Sequence, residues 1–166
     1  MCTMHPLLPQ TYKLLTDLQK VHINPILYGS QGVALYVGPF KQFSDVDMLV
    51  PDVYLDGDAW ISFIKTLDRI GYQLADEHEH EFSNVENHHI GFARESLLLS
   101  DGILTSLDQI LTQTVSGLSV RTLSPNDFKK AYEFSKTDGY RKDSRGKNDQ
   151  NIINVLNEYL KKPPSY

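Results

Sequence analysis

The sequence predicts an α/β or α+β fold, a small mixed β-sheet flanked by helices with a helical C-terminal part. Three observations carry this. The apolar runs Ile26-Leu27-Tyr28 and Met48-Leu49-Val50 have strand length and are bounded by Pro or Gly. Stretches such as 57–70 repeat apolar residues at helical spacing between the strand signals. Beyond Ser124 the pattern is helical alone. The 166 residues, 40% hydrophobic and 22% charged, can bury a core without a disulfide or metal staple. They are too few for an eight-unit βα barrel, which needs roughly 250 residues. One domain over 1–166 is expected, with a sheet core to about residue 123 and C-terminal helices over about 124–162.

A first helix is expected over 9–21. Pro9 suits a first-turn position, and Leu14, Leu18 and Val21 share a face. Asn24-Pro25 breaks it, a short buried strand follows over 25–28, and Gly29-Ser30-Gln31-Gly32 leads into a helix that ends near Gly38-Pro39. Residues 45–50 alternate and then turn fully apolar, as a strand does on entering a core, and Pro51 stops them. Trp60, Phe63, Ile64 and Leu67 give the helix over 57–70 one apolar face, with Gly71 at its C-terminal cap. Trp60 is expected in the core and not as a ligand-stacking ring. Strands are predicted over 72–83 and 88–95, with Asn84-Val85-Glu86-Asn87 as the hairpin turn, and a short strand over 97–100. Residues 105–114 fit a helical turn or a loop, and 118–123 alternate as a strand. Ser124-Pro125-Asn126-Asp127 opens a helix to about Thr137, closed by Asp138-Gly139. A last helix is expected over 144–161.

The formal net charge of −5 argues against a general nucleic-acid binder, whose affinity rests on a basic face. Basic residues gather at Arg141, Lys142, Arg145 and Lys147, either a solvated loop or a phosphate clamp. No apolar run approaches the ~20 residues that span a bilayer, so no membrane partner is expected. The N-terminal ten residues lack the pattern of a secretion signal, and the lone Cys2 forms no internal disulfide. A cytoplasmic setting follows as the expectation.

The chemistry concentrates between residues 26 and 50. A strand ending in Gly29-Ser30 turns straight into a helix. The glycine permits close backbone approach, and the free N–H groups of the helix start favour an anion such as a triphosphate. On the next strand, alternation puts Asp45 and Asp47 on one face, ~7 Å apart, where two carboxylates jointly suit Mg²⁺. Taken alone, Asp45 and Asp47 read as a solvated strand start with Ser44-Asp45 as an ordinary turn. The preceding Gly-Ser favours a site.

This pattern resembles the nucleotidyltransferase superfamily, whose signature is a hydrophobic strand, Gly-Ser or Gly-Gly, a helix, and Asp-x-Asp on the next strand. It is most similar to the small lincosamide and aminoglycoside nucleotidyltransferase-like proteins, through Gly29-Ser30-Gln31-Gly32-Val33 with Gly38, Leu67-Asp68-Arg69-Ile70-Gly71-Tyr72, and the late Arg-Lys-Asp segment before a helix. The element order matches over most of the chain, and the motif matches in detail over 26–50. The resemblance implies a nucleotidyltransferase-like fold and transfer of a nucleoside monophosphate from a Mg²⁺-bound nucleoside triphosphate to a hydroxyl of a small-molecule acceptor. It implies Asp45 and Asp47 as catalytic metal ligands and Gly29 and Ser30 as phosphate holders, with Lys41 in reach of a phosphate. The family's third carboxylate aligns near Phe92, where this chain has none. Glu95 is the nearest following acid and the candidate for its role, with Asp101 farther on. The alternative is a catalytically degenerate member acting as a binding or regulatory module. A homodimer is compatible with either reading.

The segment Glu77-His78-Glu79-His80-Glu81, with His88 and His89, offers imidazoles and carboxylates that a hairpin could bring together. Zinc is the metal such a set would suit, but no known zinc spacing is present. The favoured readings are a wet hairpin face or contact with the acceptor.

Overall fold

The structure is a computed structural model that describes residues 7–40, 45–137 and 139–162, the stretch 139–147 as backbone. Lys41 and the side chains of Arg141, Lys142, Arg145 and Lys147 lie outside the described residues. The order of elements is α1 (Pro9–Lys20), β1 (Ile26–Tyr28), α2 (Gly29–Val37), β2 (Asp45–Val50), α3 (Gly57–Arg69), β3 (Gln73–Asp76), β4 (Glu81–Ser83), β5 (His89–Arg94), α4 (Leu97–Ser100), β6 (Leu111–Val115), β7 (Leu118–Thr122), α5 (Pro125–Thr137) and α6 (Gly139–Lys161). The strands form one sheet in the order β3-β4-β5-β2-β1-β7-β6. β2 runs antiparallel to β1 and parallel to β5, and β1 runs parallel to β7, so the sheet is mixed as expected.

Strand alternation divides the core in two. Leu27, Met48, Val50, Ile90 and Phe92 pack on one side with Leu14, Leu18, Phe63 and Leu67. Ile26, Leu49 and Ala93 belong to the other side with Phe128, Ala131 and Leu156. This double coverage explains why β2 stops alternating after Asp47, because both faces of a covered strand are apolar. Trp60 is core, in edge contact with Phe82 and His80.

Four sequence expectations are corrected. The strand over 72–83 is a hairpin of β3 and β4, reversed at Glu77–His80 where Asp76 Oδ1 accepts the Glu79 N–H at 3.0 Å and His80 takes φ 51°. Alternating Glu and His imitate a strand there, and a short aspartate-closed turn leaves little trace in composition. The strand over 97–100 is helical, because the ladder ends at Glu95 and Ser100 N–H turns back to the Ser96 carbonyl at 3.0 Å. Residues 107–109 form a helical turn with a capping box at Ser106, after which β6 begins. The last helix starts at Gly139, so the basic run 141–147 sits on helical backbone and not in a loop. Ser124 does cap α5, its Oγ accepting the Asp127 N–H at 3.1 Å. No helix among the described residues is long and apolar enough to cross a membrane.

Candidate nucleotide site

β1 and β2 meet antiparallel with Tyr28 opposite Asp47, which brings the end of β1 to the start of β2. Gly29 follows Tyr28 at φ +61° and opens α2 directly. A Cβ at Gly29 would lie 2.7 Å from Asp47 Oδ2, closer than real side chains allow. Position 29 therefore needs glycine twice over, for its left-handed backbone and for the carboxylate beside it. Asp45 and Asp47 are both exposed, in phase with Leu49 and hence on the α5 side of the sheet. Ser30 is the second residue of α2 and partly buried. Asp47 thus sits against the glycine bend, at the positive end of a nine-residue helix, with Asp45 on the same strand face.

The neighbour on the other side is β5. Its register sets His89 opposite Asp45, Gly91 opposite Asp47 and Ala93 opposite Leu49. These are the positions that share a face with the aspartates, and none is acidic. Phe92 pairs with Met48 and points into the opposite core. Glu95 does not join the aspartates. It stands beyond β5, its N–H bonded to the Val50 carbonyl at the far end of β2. It lies four residue steps beyond Gly91, about 13 Å at the rise of a strand. That end of β5 is anchored by Arg94, whose guanidinium binds the Asp56 carboxylate at 2.6 and 2.8 Å and holds it below the usual carboxylate range.

The acid that does share the face is one strand farther, on β4. Glu81 pairs with Gly91, so Asp47, Gly91 and Glu81 form one row across the sheet. Glu81 accepts a hydrogen bond from His89 Nδ1, and His89 Nε2 lies 3.0 Å from Asn87 Oδ1. Sequence reasoning missed Glu81 because the turn that starts β4 was hidden. His88 lies 3.3 Å from Asn84 through Nδ1. Among the described residues no three His, Cys, Asp or Glu side chains come together as a metal cage, so the hairpin histidines form no zinc set.

A cavity of about 350 Å³ opens between this sheet face and α5, within the usual range for small-molecule sites. Asp47, Gly29, Gly91 and Tyr28 line one end, Leu49, Ala93, Leu98 and Ile103 the floor, and Tyr132, Phe134 and Ser135 the α5 wall. Its acidic lining among the described residues is Asp47, Glu79 and Asp101, with no cationic side chain. Ser135 is tied at 2.9 Å to Asp149, a buried residue inside α6 and not at its cap. Asp45, Ser30 and Glu95 stand outside this lining.

This architecture is that of the nucleotidyltransferase-like proteins. The lincosamide antibiotic adenylyltransferase LnuA, solved with lincomycin bound, superposes with a TM-score of 0.63 at 15% identity, covering 92% of this chain and 98% of that one. An antigenic nucleotidyltransferase-like protein from Paracoccidioides brasiliensis gives 0.59 at 14% identity, covering 92% and 75%. ANT(2")-Ia in complex with adenylyl-2"-tobramycin gives 0.60 at 10% identity, covering 91% and 87%. In sequence, the chain is 29% identical over 144 residues to the uncharacterised protein YnaI of Bacillus subtilis (strain 168), covering 86% of this chain and 90% of YnaI. No protein-family model matches.

Proposed function

We propose that the chain binds a nucleoside triphosphate with Mg²⁺ and transfers its nucleoside monophosphate to a hydroxyl acceptor held in the cavity under α5. The observation that carries this is the lodging of Asp47 against the Gly29 bend, which sets a carboxylate beside a helix start. The donor set fits the ion: Mg²⁺ is commonly held by one or two carboxylates and completes its shell with water and substrate phosphates. Asp45 and Asp47 would hold it, and when bound it would supply charge neutralisation of the triphosphate. The start of α2, with Gly29 and Ser30, would receive phosphate oxygens through backbone N–H groups. Lys41 remains a candidate for phosphate contact.

The acid-lined, half-apolar cavity supports an acceptor with an apolar body and a protonated amine near its hydroxyl, which Asp101 and Glu79 would attract. Two of the similar structures hold lincomycin and adenylyl-tobramycin. The single cysteine suits a reducing compartment. A second reading, a module that binds nucleotide without turning it over, is favoured by the lack of an acid at His89, Gly91 and Ala93.

The test is thermal unfolding with Mg²⁺ and ATP or GTP, for wild type and Asp47→Asn. At a hundred times the dissociation constant a ligand stabilises by about 2.7 kcal/mol, which is read directly as a melting shift. The shift is expected in wild type and lost in Asp47→Asn, whereas equal shifts would reject the site. Release of pyrophosphate on adding hydroxyl-bearing amines separates transfer from binding alone.

A further inference from the structure

The two edges of the sheet are built differently. β3 is broken by a bulge between Leu74 and Asp76 and runs into Glu77, His78 and Glu79. Acidic and irregular, it repels a second strand, as protected edges do. β6, Leu-Thr-Gln-Thr-Val over Leu111–Val115, carries no charge, no proline and no bulge, yet it is the outermost strand at the other end among the described residues.

Its free backbone groups can be identified. β6 and β7 are joined by Ser116 and Gly117, both at positive φ (49° and 81°), a two-residue hairpin turn closed by the pair Val115 and Leu118. Hydrogen-bonded and non-bonded pairs alternate from there. Val115, Gln113 and Leu111 therefore bond to β7, while Thr114 and Thr112 turn their N–H and C=O groups outward. The far side of β7 gives the same phase. Ser119, opposite Thr114, gives its carbonyl to the Gln19 amide at 2.6 Å, and Arg121, opposite Thr112, pairs with Ile26 of β1.

We propose that β6 is a self-pairing edge, which joins two copies of this chain antiparallel about a twofold axis through Gln113. In that register Thr112 of each copy faces Thr114 of the other. Both residues point outward, so each facing pair exchanges two hydrogen bonds and all four free groups of each strand are matched. The side chains agree: Thr faces Thr, Gln faces Gln, and Leu111 faces Val115, the cross-strand pairs that favour antiparallel sheets. A slip of one residue would set outward groups against inward ones. For a chain of net charge −5, the neutral edge is also where two copies meet without repulsion. The dimer would extend the sheet from the β6 edge, with β7 between that edge and the central strands whose α5 face lines the cavity.

Sedimentation velocity over about 1–500 µM tests this, with amide hydrogen exchange read at Thr112 and Thr114. The wild-type mass is expected to rise from 18.9 kDa toward twice that value. Both amides should gain protection over the same concentration range. Thr114→Lys places a charge on the edge, and Thr112→Pro removes an outward N–H that β7 does not use. Each should remain one chain in mass, with wild-type circular dichroism and the melting temperature that the wild type has at its dilute, one-chain limit. A wild type that stays at one chain throughout overturns the proposal. So does a dimer that persists in both folded variants. Protection of both amides at one-chain mass also overturns it, and would mean that the edge is covered from within the chain.

Discussion

Replacing Gly29 by alanine isolates what the glycine bend does. Two costs add. A side chain at φ +61° is in the left-handed region, a penalty of roughly 1–2 kcal/mol. The new Cβ also falls 2.7 Å from Asp47 Oδ2, where ordinary contact starts near 3.4 Å, so the carboxylate must retreat by about 0.7 Å. Stability should fall by roughly 2–4 kcal/mol once the displaced carboxylate is added to the backbone penalty, or about 4–16 °C in Tm for a chain of this length. Binding should fall further. A charged contact pushed out of line loses about 1.5–3 kcal/mol, raising Kd roughly 10- to 100-fold. At a Mg²⁺-nucleotide concentration of a hundred wild-type Kd, ligand stabilisation then drops from about 2.7 to about 0.4–1.4 kcal/mol. Gly38→Ala and Gly71→Ala are the controls. They share the positive φ (+88° and +93°) and have nothing within 4 Å of the new Cβ. Both should lose Tm by the backbone penalty alone and keep the whole ligand shift. The assay is thermal unfolding of the four proteins with and without Mg²⁺ and ATP. If Gly29→Ala keeps a wild-type ligand shift, the contact with Asp47 has no bearing on binding and the site is wrongly drawn.

Glu95→Gln should leave nucleotide binding unchanged, because the residue stands about 13 Å along β5 from the aspartates. Titration calorimetry of both proteins checks this, and a Kd raised tenfold would contradict the strand register. Gly32→Ala should destabilise by roughly 1–3 kcal/mol or more, since the Cβ would sit 2.4 Å from Phe128 Cζ and 2.8 Å from the Leu27 carbonyl. Urea unfolding measures it, and a loss below about 0.5 kcal/mol would mean that α2 can lift off α5 freely.

Local patterns carried the sequence as far as the paired acids. Gly29-Ser30 before a helix and Asp-x-Asp on a strand are short-range features, and strand parity alone puts Asp45 and Asp47 on one face. The helices covering one side of the sheet were also legible, since Leu14 and Leu18, and Phe63 and Leu67, follow helical spacing. What failed was long-range or disguised. The Glu-His alternation over 77–81 reads as a strand because nothing local distinguishes a short turn closed by Asp76. The capping box of Ser106 and Gln109 was readable as Ser-x-x-Gln and would have separated the helical turn from β6.

The search for a third carboxylate failed for a different reason. Which residue of β5 joins the aspartates depends on its register against β2, and a slip of one residue exchanges the two faces. Phe92 points to the opposite core, and Glu95 has the parity of Gly91 but lies four residues farther along. With Met48 opposite Phe92, the in-phase residue is Gly91, and the nearest acid in that row is Glu81, two strand spacings from Asp47. Two spacings amount to about 10 Å between Cβ atoms, Asp47 Oδ1 leans over the glycine between them, and among the described residues no three acid, His or Cys side chains gather as a metal set. The gap has a consequence for function. Under the proposed transfer, an acceptor arriving over Gly91 would meet Asp47 Oδ1, which leans to 3.5 Å from the Gly91 Cβ position, before it met the Glu81–His89 pair.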